Sequence, residues 1–174
     1  MGDRWGPDGP PPEAYSRVTD PQRYVVLHDV ADRFVTVLAE RYDVAVTDEP
    51  ASGALGVRAV RLHPRSGGGA DLVVHTEFGV RLRAGRWAEE SFPHCGCAAC
   101  DEEAEDLAEE LGDVATDVVC GRLGEELTGG SGTGTLVVRR PRSSSSRSLG
   151  RDEVRRLGPP GRHEWPPWPE RGGR

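Results

Sequence analysis

Within Val57 to His63 and Gly79 to Arg83, the runs Val60-Arg61-Leu62-His63 and Val80-Arg81-Leu82-Arg83 set apolar residues against arginine or histidine at every second position. That period of two is what a strand needs when one face is buried and the other meets water. Val44 to Thr47 and Asp71 to Glu77 have the same β character, and Arg65-Ser66-Gly67-Gly68-Gly69 supplies a flexible hairpin connection between the second and third segments. The four segments predict antiparallel strands. Thr135 to Arg140 reads as a last strand behind the glycine-rich turn Gly129 to Gly134.

Two helical patterns flank this block. Thr19-Asp20-Pro21 offers an N-cap followed by proline at the first helical position, where the missing N–H costs nothing. Tyr24, Leu27, Ala31, Phe34, Leu38 and Tyr42 then recur at the spacing of an amphipathic helix ending near Arg41. A second helix is predicted over Asp101 to Leu127, with Leu107, Leu111, Val114 and Val118 as its buried stripe. Its first turns hold Asp101, Glu102, Glu103, Glu105 and Asp106, the favoured sign at the positive end of a helix dipole. The fold expected is α+β: an antiparallel sheet of about four to five strands packed against two long helices, with disordered or extended termini.

The division expected along the chain is an extended N-terminal segment (1–18), an α+β domain (19–140) and a Ser/Arg/Pro-rich tail (141–174). In the tail, Ser143 to Ser146 reads as a mobile linker, Arg151 to Leu157 as a short helix, and Trp165-Pro166-Pro167-Trp168-Pro169 as a semi-rigid extended ending. Charge is uneven. Residues 88–127 carry 13 acidic groups against 1 basic (net −12), and residues 136–174 carry 4 against 10 (net +6). The plain reading is a solvated acidic helix and a solvated Arg-rich tail; the sharper one has the tail fold back on the acidic helix, in which case its removal lowers the melting temperature, more so at low salt.

Composition narrows the chemistry. The 174 residues include no Lys, Asn or Ile, a pattern we read as codon bias in a GC-rich genome. Without lysine there is no Schiff-base enzyme and no phosphate-loop lysine, and without asparagine no N-glycosylation site. The run Gly129 to Gly134 follows a helical pattern and precedes a strand, the reverse of a phosphate loop. No nucleophile elbow, zinc-protease helix or EF-hand loop is present, so the sequence favours a non-enzyme while a thiol oxidoreductase stays open. Met1 to Tyr15 lacks the apolar run of a signal peptide and no stretch approaches a membrane span, so a cytoplasmic location and no membrane partner are expected. The Arg-rich tail has two tryptophans, but the rest of the chain is net −13, which argues against nucleic acid. Trp165 and Trp168 are expected to cover apolar surface on their own domain or to dock on a protein partner.

The pointed feature is His94-Cys95-Gly96-Cys97-Ala98-Ala99-Cys100. Three of the four cysteines fall within six residues, Gly96 lets the sulfurs converge, and a helix start follows. Zinc is one reading: Cys95, Cys97 and Cys100 as ligands, with Cys97 and Cys100 at the spacing of half a zinc knuckle. The fourth ligand would be His94, under strain, or His28, His63 or His75, as the fold decides. Cys120 lies about five helical turns on, roughly 30 Å away, and cannot close the site in its own chain. A thiol redox pair of Cys97 and Cys100 is the alternative, although its acidic surroundings oppose a low thiol pKa. The third reading is thiols without a cofactor.

Pro12-Glu13-Ala14-Tyr15-Ser16-Arg17-Val18-Thr19, the turn Gly85-Arg86-Trp87, the block Phe92-Pro93-His94-Cys95-Gly96-Cys97-Ala98-Ala99-Cys100-Asp101-Glu102 and the closing Trp168-Pro169 resemble an uncharacterised actinobacterial family of unknown function. The family pattern has an acidic residue where this chain has Ala98. The resemblance covers most of the chain and implies no activity, substrate or cofactor. The function expected is that of a non-catalytic binding or adaptor protein with an unidentified protein partner, its cysteine loop structural and able to hold zinc. The competing class is a thiol oxidoreductase or sensor.

Overall fold

The computed structural model describes residues 5–7, 9–18, 20–49, 58–130 and 132–172. Three helices, α1 (Val26–Arg41), α2 (Ala104–Val119) and α3 (Arg151–Leu157), accompany nine strands among these residues. The strands are β1 (Val44–Glu49), β2 (Arg58–Pro64), β3 (Leu72–Thr76), β4 (Val80–Ala84), β5 (Ala88–Phe92), β6 (Gly124–Gly129), β7 (Gly134–Arg140), β8 (Ser143–Leu149) and β9 (Gly161–Glu164). They form two antiparallel sheets, β1-β2-β3-β4-β5 and β8-β7-β6-β9. The expected single sheet under two long helices is thus corrected to two sheets and three helices.

The period-two segments pair as their alternation requires. Val60 faces Val74, Val74 faces Leu82 and Val80 faces Phe92, placing their side chains on one side of the first sheet. That side shares a buried cluster with Leu27, Ala31 and Leu38 of α1 and with Leu107, Leu111, Val114 and Val118 of α2. The opposite side carries the arginines, where Arg61 is paired with Glu49 and Asp71, and Arg81 with Glu77 and Glu89. The Arg81 pairs are exposed and contribute little to stability, while the half-buried Arg61 pairs lie closer to the sheet.

Four local expectations change. Thr19 lies outside the described residues; Asp20 makes no side-chain cap hydrogen bond, and Pro21 opens only a short 3-10 turn, Pro21–Tyr24, before α1 begins at Val26. The second helix stops at Val119 instead of running to Leu127. Gly121 takes φ 67°, and any side chain there would strike the backbone of Pro167, so the chain turns and Gly124–Gly129 leaves as β6. Ala88–Phe92, where no strand is predicted, is the edge strand β5. The serine run is also a strand, since β8 pairs with β7 from Gly134↔Leu149 to Arg140↔Ser143. Its pairing partner and not its composition makes it one.

The region 141–174 meets the rest of the chain through packing more than charge. Arg142 reaches Asp113 of α2 at 3.1 Å, but both side chains are exposed. Trp168, in contrast, is 3% exposed. Its indole N–H donates to the Ala70 carbonyl at 2.8 Å, its backbone N–H donates to Val119 at the end of α2 at 2.8 Å, and its ring stands edge-on to Tyr42. Gly69 leaves room for that ring, because a Cβ there would lie 2.7 Å from it.

The two sheets meet at Glu125 of β6, which is fully buried. Its carboxylate accepts the backbone N–H groups of Arg86 (3.0 Å), Trp87 (2.6 Å) and Ala88 (2.6 Å) from the β4–β5 turn. The Trp165 indole N–H completes the set at 2.7 Å. Gly85, at φ 58°, is the hinge of that turn, since a side chain there would collide with the carboxylate.

Candidate functional site: a three-cysteine loop

Phe92 ends β5 and the chain turns through a cis Phe92-Pro93 bond into His94–Cys100. Three supports shape this loop. Beneath it, the Glu102 carboxylate accepts the backbone N–H groups of His94 (2.9 Å), Cys95 (3.1 Å) and Gly96 (3.0 Å). Beside it runs the N-terminal turn Pro12–Tyr15, where Ala14 and Arg17 accept N–H bonds from Ala99 (3.2 Å) and Ala98 (2.8 Å). Behind it, Arg23 pairs with Asp101 at 3.0 Å, and the fully buried Tyr24 donates its hydroxyl to the Glu102 carbonyl at 3.3 Å. Gly96 takes φ 71° and faces the Phe78 ring.

The result brings together three sulfurs. The Sγ atoms of Cys95, Cys97 and Cys100 all lie within 4.8 Å of one another, and those of Cys97 and Cys100 are 3.4 Å apart. Cys97 is buried while Cys95 and Cys100 are exposed. Hydrogen bonds from the Cys95 thiol and then from the Cys100 backbone N–H lower the Cys97 thiol to about 7. Cys100, bonded to Cys97 and Cys95, is pushed up to about 12. The acidic surroundings do not prevent the lowering at Cys97, contrary to the expectation from charge alone, because local N–H and S–H donors act at closer range.

The histidines do not join the cluster. His94 sets its Nε2 on Glu110 Oε2 at 2.9 Å and tilts against Phe92. His28 Nε2 meets the Gly79 carbonyl at 3.1 Å, and His63 Nδ1 meets Asp71 at 2.6 Å. His75 lies on β3 next to Arg81 and Arg83; burial, then those cations, lower its pKa. Cys120 follows the last residue of α2, with the whole helix between it and the cluster, as the spacing implied.

Sequence reasoning missed Glu102 as a site residue and read it as one more acid at a helix start. The signal available was its place within the cysteine block. Burial acts to raise its pKa, but the N–H bonds from Gly96, Cys95 and His94, with the nearby His94 ring, hold it below the ordinary glutamate value of 4.5. A carboxylate depressed in this way stabilises the loop fully above that ordinary value and loses the effect as pH falls from there through the depressed one. Protection of the 94–96 amides from hydrogen exchange should decline over that acid range in the parent. In Glu102→Gln, which cannot ionise, the decline should vanish. If parent and variant titrate alike, Glu102 does not hold the loop.

Two antiparallel sheets with three helices, carrying a supported three-thiol loop, make this a mixed helix-and-strand protein with three sulfurs close enough to hold a metal ion. The chain belongs to a family of unknown function (DUF6226), whose model spans residues 1–172. No curated protein and no solved structure matches it. No helix among the described residues is long and apolar enough to cross a membrane.

Proposed function

We propose that the protein is a non-catalytic binding or adaptor protein whose Cys95–Cys100 loop binds one zinc ion through the thiolates of Cys95, Cys97 and Cys100. The observation that carries this reading is the convergence of three sulfurs within 4.8 Å on a loop already shaped by other contacts. Tetrahedral zinc with sulfur at about 2.3 Å wants its ligand sulfurs roughly 3.8 Å apart, so small side-chain rotations suffice. Soft thiolates also select for such ions over magnesium or calcium. A reducing, cytoplasmic setting suits the chemistry, because thiolates persist there.

The test is metal content. Protein purified under reducing conditions should carry about one zinc per chain. Cys95→Ser, Cys97→Ser and Cys100→Ser should each abolish stoichiometric binding, while Cys120→Ser should retain it. Glu102→Gln, which loosens the loop without removing a ligand, should weaken zinc binding by about 10- to 100-fold. The 3.4 Å approach of Cys97 and Cys100 favours a second reading, a thiol redox pair. A metal-free protein with a reversible Cys97–Cys100 disulfide would decide for it and against zinc.

A further inference from the structure

The cluster supplies three ligands, and tetrahedral zinc takes four. Every cysteine and histidine of the chain lies among the described residues, so each can be checked as the fourth ligand. His94 is held on Glu110, His28 on the Gly79 carbonyl and His63 on Asp71. His163 is stacked on Trp165 and edge-on to Trp87, at the junction of the two sheets. His75 lies on the charged side of the first sheet, with Arg81 opposite it in the register. Cys120 is at the other end of α2. Glu102 is engaged by three backbone N–H groups. Among the described residues no further cysteine or histidine joins the three sulfurs, which leaves one coordination position of a bound ion open.

That position faces outward, because two of its three ligands are exposed. Apolar side chains are exposed on the segments that contact the loop. Tyr15 (61% exposed) and Val18 (54%) belong to the N-terminal stretch bonded to Ala98 and Ala99, and Phe78 (43%) lies against Gly96. Solvent-facing aromatic and aliphatic groups on segments that touch a loop with an unfilled metal position suit an apolar protein segment that brings its own donor. Charge selects the donor. Three thiolates already leave a divalent ion net negative, and Asp101, Glu102 and Glu103 follow directly in the sequence. A fourth thiolate would add another negative charge there, whereas a neutral imidazole adds none.

We infer that the fourth ligand is the imidazole of a histidine on a partner protein, so that the ion forms a Cys3His bridge between the two chains; this rests on the metal reading above. The partner is therefore a protein presenting a surface histidine flanked by apolar residues. It binds the loaded form in preference to the metal-free form, since the bridging bond exists only when the ion is present.

Cobalt(II) in place of zinc makes the coordination sphere visible, through sulfur-to-metal charge-transfer bands and through d–d bands that report the fourth ligand. The cobalt-loaded full chain is titrated with N-methylimidazole, with a short peptide of sequence Leu-His-Phe, and separately with glutathione. The expected result is a saturable one-site shift of the d–d bands with both imidazole probes and retained charge-transfer intensity. The peptide should bind at least 10-fold more tightly than N-methylimidazole, and this preference should disappear in Phe78→Ser. Glutathione at the same concentration should leave the spectrum unchanged. A glutathione shift in place of the imidazole shift overturns the choice of donor, and no shift with any probe means the sphere is closed within the chain. Equal affinity for peptide and N-methylimidazole overturns the partner segment. Failure to bind cobalt or zinc at all removes the metal reading itself, a result distinct from each of the others.

Discussion

Glu125→Ala is expected to destabilise the fold by about 4 kcal/mol, since each buried donor left without an acceptor costs about 1–3 kcal/mol and relaxation recovers part of the total. Four donors are affected: the backbone N–H groups of Arg86, Trp87 and Ala88 and the Trp165 indole. At this chain length the loss corresponds to a fall of about 8–16 °C in melting temperature. Glu125→Gln separates shape from chemistry. It fills the same volume but turns an amide NH2 toward N–H groups, and should cost about half as much. Thermal melts that leave both variants within about 2 °C of the parent would show that the carboxylate does not clasp the sheets.

The second large effect belongs to Trp168. Removing its buried indole in Trp168→Ala should cost about 3–5 kcal/mol. Trp168→Phe keeps most of the apolar contact with Tyr42 but leaves the Ala70 carbonyl without its donor, for a smaller loss of about 1 kcal/mol. The electrostatic tail expected from sequence charge makes a different forecast, a penalty concentrated at low salt. Packing predicts the same penalty at 20 mM and 500 mM NaCl. A Trp168→Ala deficit that grows several-fold as salt is lowered would restore the charge account.

How much was legible depended on how local the cause was. The alternating segments around Val60 and Val80 announced strands because burial of one face is written at every second residue. The stripe from Tyr24 to Leu38 likewise announced α1. The cysteine cluster was visible as spacing alone, and the exclusion of Cys120 needed only the rise of a helix. What failed was set by partners distant in sequence. The helix end at Val119 depends on Gly121 lying under Pro167, and the serine strand depends on β7. Glu125 looked like one more acid on a solvated helix until the β4–β5 turn and Trp165 closed around it. The four stretches that carried the family resemblance each end at such a joint: the turn beside the cysteine loop, the loop itself, the Glu125 clasp and the Trp168 socket. That pattern is visible only in three dimensions.

The Glu102 cradle has a thermodynamic consequence. A loop whose backbone is already bonded by a carboxylate, a neighbouring turn and an arginine–aspartate pair needs no ion to acquire its shape. Under the proposed reading the protein therefore has two folded forms, empty and loaded, related by mass action instead of by folding. Occupancy then follows the free metal concentration, and the stabilisation it adds grows only logarithmically above the dissociation constant. Such a protein can gain and lose its ion many times without unfolding, and the number of loaded copies becomes a readout of how much metal its surroundings hold.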